Sequence, residues 1–240
     1  PRRPGRMRQR LLCLAAAALV AACAGDGPIY PVEDSLYDWV IAPDAIVPGS
    51  APAPDIADPV VTFRLPRGGR LSALRTGEDW RTGQTRLFGF DIRLNPETLG
   101  RERVEVSRLY RSGDPETVLA SVQLDADRGV TVMGRRCIAP EDLGTWHRVE
   151  MRIKLRDDDQ GYLEVFCDRK PIWAQTGLRT TFPPVCRRSE GCNTALAKPV
   201  SYEWRMGLLT DRPVSRPVSI QMRKLHHRLL LYVPHPAGRL

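Results

Sequence analysis

Glu203 and Arg205 stand two residues apart in "YEWRMGLL", and Ser121 and Gln123 stand two apart in "TVLASVQL". If Trp204, Met206 and Leu208 pack inward, then Glu203, Arg205, Gly207 and Leu209 face outward, and Val122 inward turns Ser121 and Gln123 outward in the same way. A guanidinium can grip a carboxylate through two parallel N–H bonds. A hydroxyl, an amide and a carboxylate beside it can hydrogen-bond to hydroxyl-rich ligands. Other reactive residue types read as structural. His226 and His227 are adjacent on an expected strand, so their side chains point to opposite faces and cannot chelate together. His147 opens a strand at the surface, next to Trp146. Asp157, Asp158 and Asp159 crowd a polar hairpin corner and lack the spaced ligands of a calcium loop. No metal site and no cofactor is expected.

These residues need a scaffold, and the chain supplies strands. Val149, Met151, Ile153 and Leu155 alternate with Glu150, Arg152 and Lys154. After a corner from Arg156 to Gly161, a second alternating run spans Tyr162 to Cys167, and a tight turn at Asp168-Arg169-Lys170 leads to a third ending at Trp173. This is a meander with one dry face. Its polar face is expected to belong to the same groove as Arg205. Tyr162 and Phe166 share that face with Glu164, either to stack a ligand ring or to lie beneath a neighbouring loop. Similar alternation marks Phe88 to Leu94, Val118 to Leu124 and Val218 to Arg223, with turn residues between the runs. No long 3.6-residue period follows the leader. Short strands with regular turn signals predict an all-β sandwich or barrel.

The front of the chain reads as a targeting segment. Met7-Arg8-Gln9-Arg10 is a basic stretch, Leu11 to Val20 is apolar, and "VAAC" ends at Cys23. The apolar run is too short to span a membrane. Val20-Ala21-Ala22-Cys23 resembles the lipobox of bacterial lipoproteins, which implies lipidation of Cys23 and a membrane partner through that anchor, with export onward to the outer membrane. Residues 1–6 read as upstream frame. The whole chain holds 36 basic and 28 acidic residues, a net charge of +8. The leader carries Arg2, Arg3, Arg6, Arg8 and Arg10 and no acid, so the remainder has 31 against 28, or +3. That charge gives little support for nucleic acid as a partner. Seven prolines fall between residues 24 and 59, and Pro48 to Pro59 reads as an extended tether. Ser35 to Pro43 is too apolar for a pure linker and is expected to add an edge strand or lie across the domain. Cys137, Cys167, Cys186 and Cys192 remain once Cys13 and Cys23 are set aside. In an oxidising compartment an even set pairs, and Cys186–Cys192 with Cys137–Cys167 is the expected arrangement. The spacings lack paired C-x-x-C hooks and no His lies close by, which argues against zinc.

Four segments in order resemble one family: Leu87 to Glu97, Thr117 to Leu124, Leu143 to Trp173, and Tyr202 to Pro213. They look like successive strands of polysaccharide lyases of the heparin-lyase and glucuronan-lyase type. The likeness covers about residues 60–233 and is strongest at "GTWHR" and at "LEVFCDRKP". It implies a concanavalin A-like β-jelly-roll sandwich. The domain layout is then a signal peptide over residues 1–22, a lipidated Cys and tether over 23–59, and the jelly roll over 60–240. The family cleaves uronic-acid polymers by β-elimination, with groups largely from a Q-x-H strand and a Y-x-K-x-G-x-Y strand. The alignment sets Ser121 at the Gln position and Gln123 at the His position. It sets Glu203 at the first Tyr, Arg205 at the Lys, Gly207 at the Gly and Leu209 at the last Tyr. Gln123 cannot act as a base and Leu209 cannot donate a proton. The jelly-roll glycosidases need an E-x-D-x-x-E set, which is missing here. The expectation is therefore a groove of Ser121, Gln123, Glu203 and Arg205 that binds an acidic or hydroxyl-rich glycan without turnover. The alternative is an active lyase using Arg205 with a Tyr or His placed elsewhere.

Overall fold

The computed structural model describes residues 45–80, 83–94, 98, 100, 102–111, 117–156, 158–180 and 200–230. Among them are thirteen strands: β1 (Asp55–Ala57), β2 (Val60–Leu65), β3 (Leu71–Trp80), β4 (Thr85–Leu94), β5 (Arg103–Arg111), β6 (Thr117–Asp125), β7 (Gly129–Val132), β8 (Arg135–Ile138), β9 (His147–Lys154), β10 (Gly161–Cys167), β11 (Lys170–Leu178), β12 (Val200–Leu209) and β13 (Val218–Leu230). They form a seven-stranded sheet, β1-β2-β13-β4-β9-β10-β11, and a six-stranded sheet, β3-β12-β5-β6-β7-β8. All the pairings are antiparallel. Cys23, Cys186, Cys192 and the stretch Ser35 to Pro43 fall outside the described residues.

The core is where the alternation put it. Val149, Met151 and Ile153 of β9 are buried, as are Trp204, Met206 and Leu208 of β12 and Val122 of β6. The Trp204 ring meets Phe88 edge-on at 5.0 Å between centroids, so one aromatic pair ties β12 of one sheet to β4 of the other. The indole N–H donates to Ser107 Oγ at 2.8 Å, which satisfies a polar atom that burial would otherwise strand. A disulfide joins Cys137 in β8 to Cys167 in β10 and so staples the two sheets, as expected for that pair.

Part of the segment expected as a tether is paired onto the sheets. Val47 N–H donates to Ala73 O and Ala51 N–H to Leu71 O, each at 3.0 Å, and Arg75 N–H donates to Ala45 O at 2.7 Å. Residues 45–51 thus cover the free edge of β3, while β1 covers β2. An uncovered edge exposes a row of unmet backbone groups, and prolines are tolerated on the last strand out, where no further ladder is needed. Composition could not reveal this pairing, because it is made by backbone atoms.

The polar face of the opening meander does not join the groove. β9, β10 and β11 belong to the seven-stranded sheet, whereas Ser121, Gln123, Glu203 and Arg205 lie on the six-stranded one. Nor is that face wet over β9 and β10, although β11 at the edge is largely exposed. Glu150, Arg152 and Glu164 are buried, and Tyr162 is 4% exposed, so of its two readings the structure takes the covered one. Arg152 pairs with Glu164, Arg148 with Asp91 at 2.8 Å, and Arg223 with the other Asp91 oxygen at 3.2 Å. Buried charges persist only when paired in this way.

Gly207 has a steric reason to be glycine. Its φ is +135°, and a Cβ there would lie 2.3 Å from Ser72 O and 2.7 Å from Phe63 Cδ1. Gly207→Ala is expected to cost at least about 2 kcal/mol, combining a strained φ with a backbone clash. Chemical denaturation of both proteins checks this, and an unchanged midpoint would show that the chain around Gly207 yields freely.

Candidate functional site on the six-stranded sheet

The register of β3, β12, β5 and β6 brings the site together. Arg205 is opposite Arg75 on one side and Arg108 on the other, and Arg108 is opposite Ser121. Three guanidinium-bearing residues and a hydroxyl therefore form one row across four strands. The neighbouring row sets Glu203 opposite Tyr110, and a third sets Glu105 opposite Gln123. All four groove residues expected from sequence are here, on one face of one sheet.

The side chains are woven together. Arg205 Nε donates to Glu203 Oε1 at 2.5 Å, and the Tyr110 hydroxyl donates to the same oxygen at 2.5 Å. Arg75 lies 3.8 Å from the other Glu203 oxygen. The Arg205 guanidinium also stacks over the Tyr110 ring, 4.7 Å from its centroid. Arg108 pairs with Glu105, with Nε at 2.8 Å from Oε2. Gln123 accepts from Arg103. In and beside the row, Glu203 and Glu105 are set against Arg75, Arg108 and Arg205. Like charges directly opposite on neighbouring strands repel, so these two carboxylates have a structural duty. They leave the row cationic.

Sequence reasoning missed Arg75, Arg108, Tyr110 and Glu105. β3 shows weak alternation, which hid Arg75. In β5 the register slips between Glu105 and Ser107, so Glu105 and Arg108 reach the same face although they stand an odd three positions apart. Such a bulge breaks the period-two rule that a sequence reading relies on. Leu209 is shut away rather than placed on the open face. It packs with Val47 and Ala73 in a small apolar cluster at the end of β12.

The histidines serve structure. His147 Nδ1 lies 2.8 Å from Asp168 Oδ2, and the Arg148 N–H donates to Asp168 Oδ1 at 2.8 Å. Burial pushes the Asp168 carboxyl up, but the His147 ring and the Arg148 N–H outweigh it and hold it below its ordinary value. That clasp holds the β10–β11 turn, where Asp168 and Arg169 both have positive φ, against the start of β9. His226 and His227 do point opposite ways. His226 lies 3.6 Å from Glu150 on one face, and His227 stacks on Phe88 on the other. At the polar corner Asp158 pairs with Arg156, whose hydrogen bond lowers its carboxyl to about 2. Among the described residues no group of three His, Cys, Asp or Glu is arranged to hold a metal ion.

Solved structures share this architecture. An alginate lyase mutant in complex with an alginate trisaccharide superposes with a TM-score of 0.52 at 13% identity, covering 74% of this chain and 84% of that one. An endo-β-1,4-glucuronan lyase from the fungus Trichoderma reesei gives 0.50 at 14%, covering 70% and 79%. An alginate lyase from Pseudomonas aeruginosa gives 0.50 at 14%, covering 75% and 86%. The fold is the β-jelly roll of polysaccharide lyases. No protein-family model and no curated protein matches the chain. At such low identity the likeness speaks for the fold alone.

Proposed function

We propose that this chain is an exported, lipid-anchored envelope protein whose six-stranded sheet holds an acidic or hydroxyl-rich polysaccharide without cleaving it. The observation that carries the reading is the row of Arg75, Arg205 and Arg108 on three adjacent strands. Sugar carboxylates spaced along a polymer are the natural counterpart of such a row, and Ser121 in the row and Gln123 beside it add groups suited to hydroxyls. The jelly-roll lyases it resembles, one of them bound to an alginate trisaccharide, support a glycan as the ligand. The absence of turnover follows from Gln123 and Leu209 at the two positions where the family's proton-transfer groups are expected.

A second reading has its own observation. Tyr110 lies beneath Arg205, with its hydroxyl bonded to Glu203. In β-elimination a base removes the C–H proton next to the sugar carboxylate, the glycosidic C–O bond breaks, and the leaving oxygen takes a proton. A tyrosine and a carboxylate beside a guanidinium contain groups able to move those protons. One experiment addresses both readings. The chain is incubated with uronate polymers while ultraviolet absorbance follows the unsaturated product, and binding is read on an array of acidic and neutral glycans. Binding without absorbance supports the first reading, and rising absorbance supports the second. Neither signal on any polymer overturns both.

Anchoring is a separate expectation. It rests on "VAAC" ending at Cys23, and the Cys137–Cys167 bond is consistent with an oxidising compartment. One acyl chain binds a membrane only marginally, whereas several bind firmly. Cys23→Ser should abolish fatty-acid labelling and move the protein out of the membrane fraction. Unchanged labelling would rule out Cys23 as the lipidated residue.

A further inference from the structure

The opposite side of the sandwich carries a second polar recess. On the outer face of the seven-stranded sheet, an open pocket of about 530 Å³ is lined by Thr62, Arg64, Arg93, Thr98, Ser219 and Gln221, with Leu94 and Gly144. Its volume suits a few sugar rings or a small ligand. The sheet register builds its floor. Gln221 of β13 is opposite Thr62 of β2 and Arg93 of β4, and Ser219 is opposite Arg64 one row along. Among the described residues, none that lines the pocket is acidic.

The charge of Arg93 sets this pocket apart from the row on the other sheet. Arg205 has Glu203 beside it, but Arg93 is held by a neutral group. Its Nε lies 3.1 Å and its Nη2 2.5 Å from Gln221 Oε1. Its guanidinium lies 4.8 Å from the centre of the Trp146 ring, whose neighbourhood also holds the Arg223 guanidinium at 4.3 Å. The amide and the indole fix the orientation of Arg93 without cancelling its charge. Arg64 has Asp55 at 3.3 Å, but both side chains are more than half exposed, so that pair contributes little. Because Gln221 Oε1 takes both Arg93 bonds, its amide N–H₂ is left as a donor. Among the described residues the hydroxyls of Thr62 and Ser219 also have no hydrogen-bond partner. A cation held by neutral groups, next to unused hydroxyl and amide groups, is what a carboxylate-bearing sugar requires.

We infer that this pocket is a second saccharide site, on the sheet opposite the arginine row, that takes an acidic sugar with its carboxylate on Arg93 and its hydroxyls on Thr62, Ser219 and Gln221. It does not depend on the proposed site on the six-stranded sheet. A chain with glycan sites on both faces could bridge two polymer strands, which a single groove cannot do.

The test is amide-resolved nuclear magnetic resonance of the full chain, titrated with a glucuronate tetrasaccharide and, separately, with neutral cellotetraose. The expected result is a saturable shift of the Gln221 side-chain amide and of the Thr62 and Ser219 backbone amides with the uronate. These shifts should persist in Arg205→Ala and weaken by at least about tenfold in Arg93→Gln, where the bidentate cation is gone. Ser219→Trp, which fills the pocket and leaves Arg93 in place, should abolish them. It decides the matter if Arg93→Gln fails to fold. The proposal is overturned if shifts are confined to β5, β6 and β12, if no shift occurs, or if cellotetraose produces the same response. Shifts confined to β13 and β2 would retain this site and discard the one on the other sheet.

Discussion

Replacing Cys137 and Cys167 together by alanine is expected to lower the unfolding free energy by about 3–4 kcal/mol, the chain-entropy value for a bond closing a loop of this length. The two cysteines are 30 residues apart in sequence and sit on different sheets. Within that loop lie the end of β8, the link up to His147, and all of β9 and β10. Opening the bond lets all of it search freely in the unfolded chain. It also releases β8, the outermost strand of its sheet, which otherwise leans on β7 alone for backbone pairing. For a domain of this size the loss translates into a fall in melting temperature of roughly 6–16 °C. The measurement is thermal and denaturant unfolding of the wild type and the double variant, with and without reductant. Reductant should bring the wild type down to the variant and leave the variant unmoved. Intact mass after thiol blocking provides the chemical check. A wild type in which both cysteines are blocked, or a variant within about 1 kcal/mol of the wild type, would show that the staple contributes nothing.

Removing Arg108 and Arg205 together is expected to reduce affinity for an acidic polysaccharide by about a hundredfold, or roughly 2.8 kcal/mol at 1.4 kcal/mol per decade. Each arginine alone should account for about tenfold. The reasoning begins with their setting. Arg205 is pinned by Glu203 and by the Tyr110 ring, and Arg108 is pinned by Glu105. A fork already oriented loses less freedom on gripping a carboxylate than a mobile one does. Arg205→Lys should restore only part of the binding, because an ammonium lacks the planar fork. Added salt should weaken the wild type more than the double variant, since screening acts on the charges the variant has lost. There is a plainer alternative in which Arg205 exists only to neutralise Glu203. It predicts a stability change of up to about 1 kcal/mol and no change in binding, as is usual for ion pairs near a surface. Isothermal titration with a uronate oligomer, alongside melting curves, separates the two. Binding indifferent to both arginines would remove the six-stranded sheet from the glycan site.

Much of the architecture was legible in the sequence, because period-two alternation reports directly which side chains turn inward. It placed Trp204, Met206, Leu208, Val122, Val149, Met151 and Ile153 in the core, and it set Ser121, Gln123, Glu203 and Arg205 on a common outward face. It also foresaw the opposed faces of His226 and His227, while the even set of cysteines in a chain read as exported led to the Cys137–Cys167 bond. Alternation cannot say which sheet a strand joins, since pairing depends on backbone contacts between distant segments. So the meander from Trp146 to Trp173 was assigned to the wrong face of the molecule, and its Glu150, Arg152 and Glu164 proved to be a buried ion-paired layer. Nor can alternation survive a bulge, which is why Arg108 and Glu105 went unseen beside Arg205. The cationic row itself exists only in the folded chain. Arg75, Arg108 and Arg205 are scattered over 130 residues of sequence, and antiparallel register alone brings them side by side.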